Sequence, residues 1–211
     1  MQCQLRLIRL TLLAAAFAGA SGIALAGDSE DAAAANEFSL PKVEPTDPGA
    51  RAPSVPEPDD YRMDEYRKPV PATLKGAKVL SPQDASELWS KGAAVFIDVY
   101  PHAPKPDNLP AGTLWREPQH LSIEGATWLA NTGYGKLAPE TEEYFKKGLE
   151  RLSGGDQTKP LAFFCLRNCW MSWNAGKRAL SYGYTNVLWF SEGTDAWQEI
   201  GEPVAVATPA P

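Results

Sequence analysis

Three short apolar runs, separated by helical segments, constrain the fold of this chain most strongly. The runs are Ala93–Val99, Pro160–Cys165 and Asn186–Phe190. Helical patterns fill the intervals, with Pro139–Leu152 before the second run and Ser172–Ser181 before the third. Continuous apolar runs of this length fit strands buried on both faces. The alternation therefore predicts an α/β domain with a mainly parallel central sheet flanked by helices.

The distribution of large aromatic residues predicts the limits of the folded domain. All seven tryptophans follow residue 74, so we expect one domain over 75–206 and a flexible end over 207–211. The segment 27–74 is rich in proline and acidic residues and is predicted to be an extended linker. Its last part, 61–74, carries apolar side chains and is either a strap on the domain surface or more linker. Those side chains are Tyr61, Met63, Tyr66 and Val70.

Residues 1–26 have the pattern of a cleaved secretory signal. Arg6 and Arg9 precede an apolar run that ends in Ala24-Leu25-Ala26. The alternative, a membrane anchor, needs about 20 strongly apolar residues, whereas this run is shorter and rich in alanine. We therefore expect an exported protein with no membrane span after cleavage. Cys3 would leave with the signal, and the two remaining cysteines would enter a compartment where disulfides persist.

Charge and histidine content argue against two further classes of protein. The chain has 26 acidic and 20 basic residues and a net charge of −6. A nucleic-acid-binding protein needs a positive field towards phosphate, so we expect no nucleic-acid partner. The only histidines, His102 and His120, lack the spacing of zinc ligands, so we expect no metal site. Both are predicted to be surface or structural residues.

The candidate chemistry lies at the carboxyl ends of the predicted strands. Asp98 ends the first strand and is expected to hold loop or backbone N–H groups. Cys165 ends the second, and a five-residue loop then leads to a helix whose N–H groups favour an anion such as a thiolate. Cys165 is thus the predicted nucleophile, and Cys169 a second thiol able to pair with it. The alternative is that Cys165 is a small apolar core residue.

Several segments together resemble a rhodanese domain. Cys165–Trp170, Gly183–Val187 and Glu192–Trp197 resemble its carboxyl half, and Val95–Asp98 and His120–Ala126 resemble its front half. The resemblance implies a single rhodanese-like domain with an extended N-terminal tail. It also places Cys165 at the position of the persulfide cysteine.

A narrower resemblance involves Tyr66-Arg67, Pro69-Val-Pro71 and the block Phe164–Asn174. These resemble the exported rhodanese-like proteins known as PQQ-dependent catabolism-associated CXXCW motif proteins. The spacing here is C-x-x-x-C-W, one residue longer than in that name. The resemblance implies a functional link to pyrroloquinoline quinone (PQQ), with a periplasmic quinoprotein dehydrogenase or its cytochrome as partner.

The loop departs from sulfurtransferase rhodaneses, which commonly carry a basic residue where this chain has Trp170. The indole is expected to narrow the mouth of the site. Arg167 could supply the missing charge by pointing inward to an oxyanion, or it could face solvent. Arg178, further along the helix, is expected to be a solvated surface charge. The predicted binding residues are Arg167, Asn168, Trp170 and Asp98.

Three functions follow from these residues. The favoured one is thiol redox or sulfur handling, with Cys165 as nucleophile and Cys169 as resolving thiol. The second is sulfurtransfer from a thiosulfate-type donor through a Cys165 persulfide. The third is a non-catalytic module that binds a quinoprotein dehydrogenase, its cytochrome or its cofactor. That third function is suggested by Trp170, Trp173 and Trp189, which could form a quinone platform or simply pack in the core.

Overall fold

A five-stranded, wholly parallel sheet forms the centre of the protein. The computed structural model describes residues 54–211. The strands of this sheet are β1 (Lys78–Val79), β2 (Val95–Asp98), β4 (Thr127–Trp128), β5 (Leu161–Phe164) and β6 (Val187–Phe190). They lie in the order β1-β6-β5-β2-β4, and every neighbouring pair is parallel. The predicted α/β class with a mainly parallel sheet is confirmed.

Four helices and a small antiparallel sheet complete the domain. The helices are α1 (Pro82–Ser90), α2 (Pro139–Ser153), α3 (Trp170–Ser181) and α4 (Gly193–Glu199). The second sheet pairs β3 (His120–Ile123) with β7 (Val204–Ala207). Helix α3 begins at Trp170, two residues before the predicted start, because Cys169 already has the extended conformation of an N-cap.

Strand β5 separates two apolar layers by the alternation of its side chains. Leu161 and Phe163 pack in the layer that contains buried residues of α2 and α3. Ala162 and Phe164 pack in the opposite layer with residues of α1 and α4. Successive side chains of a strand point to opposite faces, so Cys165, the next residue, falls on the α2/α3 side.

Residues 61–74 lie against α3 as a strap, a name kept below for this segment. Val70 and Leu74 are buried in a cluster with tryptophans of the domain. Tyr66 is half-buried, whereas Met63, one of the predicted anchors, is exposed. The strap is therefore held at its centre and at its carboxyl end by apolar contacts.

The carboxyl terminus differs from the expected flexible end. The Ala210 N–H donates to the Trp128 carbonyl at 2.9 Å, and the Tyr144 hydroxyl donates to the Ala210 carbonyl at 2.9 Å. Strand β4 is at the edge of the sheet, and its free backbone groups accept the last residues of the chain.

The predicted signal over 1–26 and the linker up to residue 53 lie outside the described residues. Within residues 54–211, no helix has the length and apolarity needed to cross a membrane.

Candidate functional site

Cys165 and Cys169 are joined by a disulfide in the loop between β5 and α3. Their Cα atoms are 6.3 Å apart. Both residues are buried, with exposed fractions of 1% and 2%. The carbonyl of Cys165 accepts the N–H of Thr194, at the start of α4, at 3.0 Å. The structure therefore brings together the two thiols that the sequence predicts as a pair, and it shields them from solvent.

The N–H groups at the loop are engaged by the protein itself. The N–H of Arg167 donates to the Asp195 carboxylate at 2.9 Å. The N–H of Trp170, the first residue of α3, donates to the Tyr66 carbonyl of the strap at 2.9 Å. Half-buried Asn168 has a φ of 56°, a left-handed conformation that asparagine tolerates and that turns the loop. An internal carboxylate and a carbonyl thus occupy donors that were expected to face an external anion.

Arg167 is a buried ion-pair centre. Its Nε donates to Glu192 at 2.8 Å, and its terminal nitrogens form a two-point contact with the Glu199 carboxylate at 2.7 and 2.5 Å. Hydrogen bonds to Glu199 and then to Glu192 raise the pKa of Arg167 above its usual range. The structure corrects both expectations for this residue. Its guanidinium points neither to solvent nor to a position for an external oxyanion, because it is hydrogen-bonded to two carboxylates at the start and end of α4.

Trp170 lies buried between the strap and α3. It packs edge-on against Trp173, with ring centroids 5.4 Å apart, and in one cluster with Val70 and Leu74 of the strap. Its Nε1 is the only buried side-chain nitrogen or oxygen among the described residues that has no hydrogen-bond partner. Leaving such a donor unsatisfied costs about 1–3 kcal/mol. The buried position of Trp170 therefore has an energetic cost.

The three tryptophans near the loop do not form an exposed platform. Trp173 and Trp189 are fully buried, and Trp170 is 3% exposed. The ring N–H groups of two of them form hydrogen bonds within the protein: Trp173 donates to the Thr73 carbonyl and Trp189 to the Ser172 hydroxyl. The sequence allowed either a quinone platform or core packing, and in the structure these tryptophans pack in the core.

Asp98 joins the end of β2 to β3. Its carboxylate accepts the Tyr100 N–H at 2.8 Å, the Ser122 hydroxyl at 2.6 Å and the His120 Nε2 at 2.7 Å. The expected hydrogen bond to a backbone N–H is present, and two side-chain donors add to it. His120 also stacks on Tyr100 and contacts Trp128, with ring centroids 4.7 and 4.3 Å away.

A cavity of about 640 Å³ lies beside His120 and reaches the cysteine loop. The sequence interpretation did not anticipate this cavity, whose aromatic walls come from the segment after β2, from β3 and from β4. Its lining includes Tyr100, His120, Trp128, Leu166, Thr194 and Gln198. Its lining also includes His102 and Glu117, whose side chains contact each other through the His102 Nε2 and a Glu117 carboxylate oxygen. Within residues 54–211, no cluster of three or more His, Cys, Asp or Glu side chains is arranged to hold a metal ion.

Arg178 is buried, and the expectation of a solvated charge is wrong. Its guanidinium donates to the carbonyls of Thr132, Tyr134 and Gly135 at 2.8–3.0 Å. Burial lowers its pKa. The irregular segment after β4 presents these carbonyls towards α3, and Arg178 satisfies three of them at once.

Comparisons with known proteins give structural likenesses only. No protein-family model matches the sequence, and no curated protein matches it. The polysulfide-sulfur transferase of Wolinella succinogenes has 23% identity, with 63% of this chain and 80% of that chain covered and a TM-score of 0.40. A rhodanese-like domain from Anabaena has 16% identity over 65% and 87%, with a TM-score of 0.40. A protein of unknown function from Rhodopseudomonas palustris has 20% identity over 61% and 85%, with a TM-score of 0.39. Identities and TM-scores of this size assign neither an activity nor a substrate to this chain.

Proposed function

We propose that this protein is an exported, periplasmic, rhodanese-like protein whose Cys165–Cys169 pair cycles between disulfide and dithiol. The observation that carries the proposal is the pairing of these two cysteines within the loop between β5 and α3. A disulfide between cysteines four residues apart closes a small ring next to a helix N-terminus. That position suits exchange chemistry, because the helix N-terminus stabilises a thiolate.

The redox step is a two-electron exchange with a dithiol partner. A thiolate of the partner attacks the Cys165 sulfur, the sulfur–sulfur bond breaks, and Cys169 leaves as a thiolate that then takes up a proton. The second thiolate of the partner displaces Cys165 from the mixed disulfide. The partner ends as a disulfide and the loop as a dithiol. Cys169 is the better leaving group because it is the N-cap of α3.

Contacts around the loop favour this exchange over sulfurtransfer from thiosulfate. The only cation within the loop, Arg167, is committed to Glu192 and Glu199. The Asp195 carboxylate already occupies a loop N–H, and its negative charge opposes a second anion there. Cys169 would also attack a persulfide formed on Cys165 and discharge it.

The physiological setting of the proposal is PQQ-dependent alcohol catabolism. Export is supported by the basic start and apolar run of residues 1–26, and the PQQ link by the resemblance of the Phe164–Asn174 block. The partner we propose is a periplasmic quinoprotein dehydrogenase or its cytochrome. Binding alone is the less favoured alternative, because the tryptophans that suggested it are buried.

Thiol counting by alkylation and mass measurement tests the redox proposal. Native protein isolated from the periplasm is expected to take up no alkylating groups before reduction and two after it. The disulfide is expected to re-form when the reduced protein meets oxidised glutathione. Two free, slowly reacting thiols in the native protein would overturn the proposal. A thiosulfate–cyanide assay is the companion measurement, and sustained turnover there would favour sulfurtransfer instead.

Growth on alcohols tests the physiological link. A strain that lacks the protein is expected to grow poorly on an alcohol whose oxidation requires PQQ, and the wild-type gene to restore growth. The Cys165→Ser variant is expected to fail. Full restoration by Cys165→Ser would show that binding, not thiol chemistry, is what the cell needs.

A further inference from the structure

The strap is attached to one face of α3, at the turn that begins beside the disulfide. Three residues of α3 at helical spacings of three and four carry the hydrogen bonds. The bonds join Trp170 to Tyr66, Trp173 to Thr73 and Asn174 to Arg62. The helix turn that holds the strap thus follows directly on Cys169.

The strap and the disulfide share one apolar cluster. Tyr66 of the strap packs against the apolar cluster that contains Cys165, Cys169 and Met171. With both cysteines almost fully buried, the thiolate of a partner protein has no path to either sulfur in this arrangement. Disulfide exchange requires direct attack on sulfur, so part of the cover has to move first.

The strap is the part of the cover that contains no helix and no strand of either sheet, so its movement would leave both sheets intact. It packs in one cluster with Trp170 through Val70 and Leu74, and the Trp170 Nε1 is buried there without a hydrogen-bond partner. It is seated against Gly135 with no spare room, since a Cβ at that position would lie 2.3 Å from the Arg62 carbonyl oxygen, so an added methyl group there would displace the strap. On its other side the loop contacts α4 and carries the Arg167 ion pairs, and the cavity beside His120 reaches Leu166 there but is not lined by either cysteine.

We propose that the strap is a gate over the cysteine pair, and that a dithiol reductant reaches the disulfide only after the strap separates from α3. This regulation rests on the redox function proposed above. Once the strap is open, the exchange is the one already described, with Cys169 expelled as a thiolate. Re-formation of the disulfide and closure of the strap then shield the pair again.

The gate is tested by comparing the rate of disulfide reduction with the fraction of molecules in which the strap is open. Dithiothreitol is expected to reduce the full protein at least about a hundredfold more slowly than a synthetic peptide with the sequence of residues 163–171 and the same disulfide. Hydrogen exchange at the Trp170 amide, which is bonded to the strap, gives the open fraction independently. The reduction rate of the protein divided by that of the peptide is expected to equal this open fraction.

The Gly135→Ala variant is expected to open the gate, because Gly135 belongs to the domain and packs directly against the strap. Its added Cβ meets strap atoms, Arg62 O and Met63 Sδ, as its closest contacts. Reduction is expected to accelerate about tenfold or more, as will exchange at the Trp170 amide. Lys136→Ala, a change at the exposed neighbouring residue, is the matched control and is expected to behave as wild type. Preserved exchange protection in β5 and β6 shows that the domain remains folded.

A second variant, Asn174→Ala, removes the Arg62 attachment and serves if Gly135→Ala does not fold. The gate is overturned if wild-type protein is reduced as fast as the peptide, or if a variant that opens the strap leaves the reduction rate unchanged. Failure of the disulfide to re-form with oxidised glutathione would refute the redox function itself. Reversible but ungated exchange would refute the gate alone.

Discussion

Asn174 binds the backbone of Arg62 in both directions. Its Oδ1 accepts the Arg62 N–H and its Nδ2 donates to the Arg62 carbonyl, each at 2.9 Å. The same Nδ2 donates to the Gly133 carbonyl, also at 2.9 Å. One fully buried amide therefore ties together the strap, the segment after β4 and helix α3.

Replacement of Asn174 by leucine is expected to destabilise the protein by about 3 kcal/mol, because it leaves three backbone groups without partners. Urea unfolding of the oxidised protein measures the change. Asn186→Leu is the control, since that side chain makes a single exposed contact of 3.3 Å to Thr158 and is expected to cost less than about 1 kcal/mol. Equal costs for the two variants would contradict the role of Asn174 as the tie.

Asp98 is predicted to contribute to stability through the three donors that it satisfies. Asp98→Ala removes the acceptor for Tyr100, His120 and Ser122 in a buried site and is expected to cost about 3–5 kcal/mol. Ser122→Ala removes one donor from the same carboxylate and is expected to cost about 1–2 kcal/mol. Urea unfolding of both variants gives the comparison. A cost for Asp98→Ala no larger than that of Ser122→Ala would contradict this arrangement.

The sequence predicts the three central strands of the main sheet and the position of the cysteine pair, because both depend on local patterns, whereas the two-residue edge strands β1 and β4 are too short to leave such a pattern. Apolar runs set the strands, and the alternation along β5 carries Cys165 to one face of the sheet at its carboxyl end. The proximity of Cys169 then follows from a loop too short to separate the two residues. No long-range information is needed for either result.

The partners of charged side chains depend instead on where distant segments meet. Arg167 pairs with Glu192 and Glu199, which arrive with α4 after another helix and strand. Arg178 finds its acceptors on the segment after β4. A charged residue in a loop or a helical pattern usually indicates a solvated position, and nothing local marks the carboxylates that bind Arg167 or the carbonyls that bind Arg178. The sequence does not decide whether residues 61–74 form a strap or a linker for the same reason, because their attachments on α3 lie 100 and 112 residues away.

The Glu199 carboxylate is predicted to stabilise the protein in a pH-dependent manner. The Arg167 hydrogen bonds hold the pKa of Glu199 below its ordinary value of 4.5 in the folded state. The folded state therefore favours the ionised form, so this stabilisation is present above the unfolded pKa and is lost as the pH falls through the folded pKa. Glu199→Gln is expected to lower stability near neutral pH and to have a progressively smaller effect in acid.

Urea unfolding of wild type and Glu199→Gln from about pH 7 to about pH 3 measures this convergence. Glu150→Gln provides the control, because Glu150 is exposed on α2 and has no ion pair within residues 54–211. Its small effect is expected to stay constant over the same range. Parallel curves for wild type and Glu199→Gln would show that the ion pair contributes nothing to stability.

The unsatisfied Nε1 of Trp170 predicts an unequal response of two neighbouring tryptophans to the same change. Trp→Phe removes the same atoms at either position, and both side chains are buried. At Trp173 the change also breaks a 3.1 Å hydrogen bond to the Thr73 carbonyl, whereas at Trp170 it removes a donor that has no acceptor. Trp173→Phe is therefore expected to be less stable than Trp170→Phe by about 2 kcal/mol in urea unfolding. Trp189→Phe, which loses a bond to Ser172, is expected to follow Trp173→Phe, and a Trp170→Phe variant as unstable as these two would contradict the prediction.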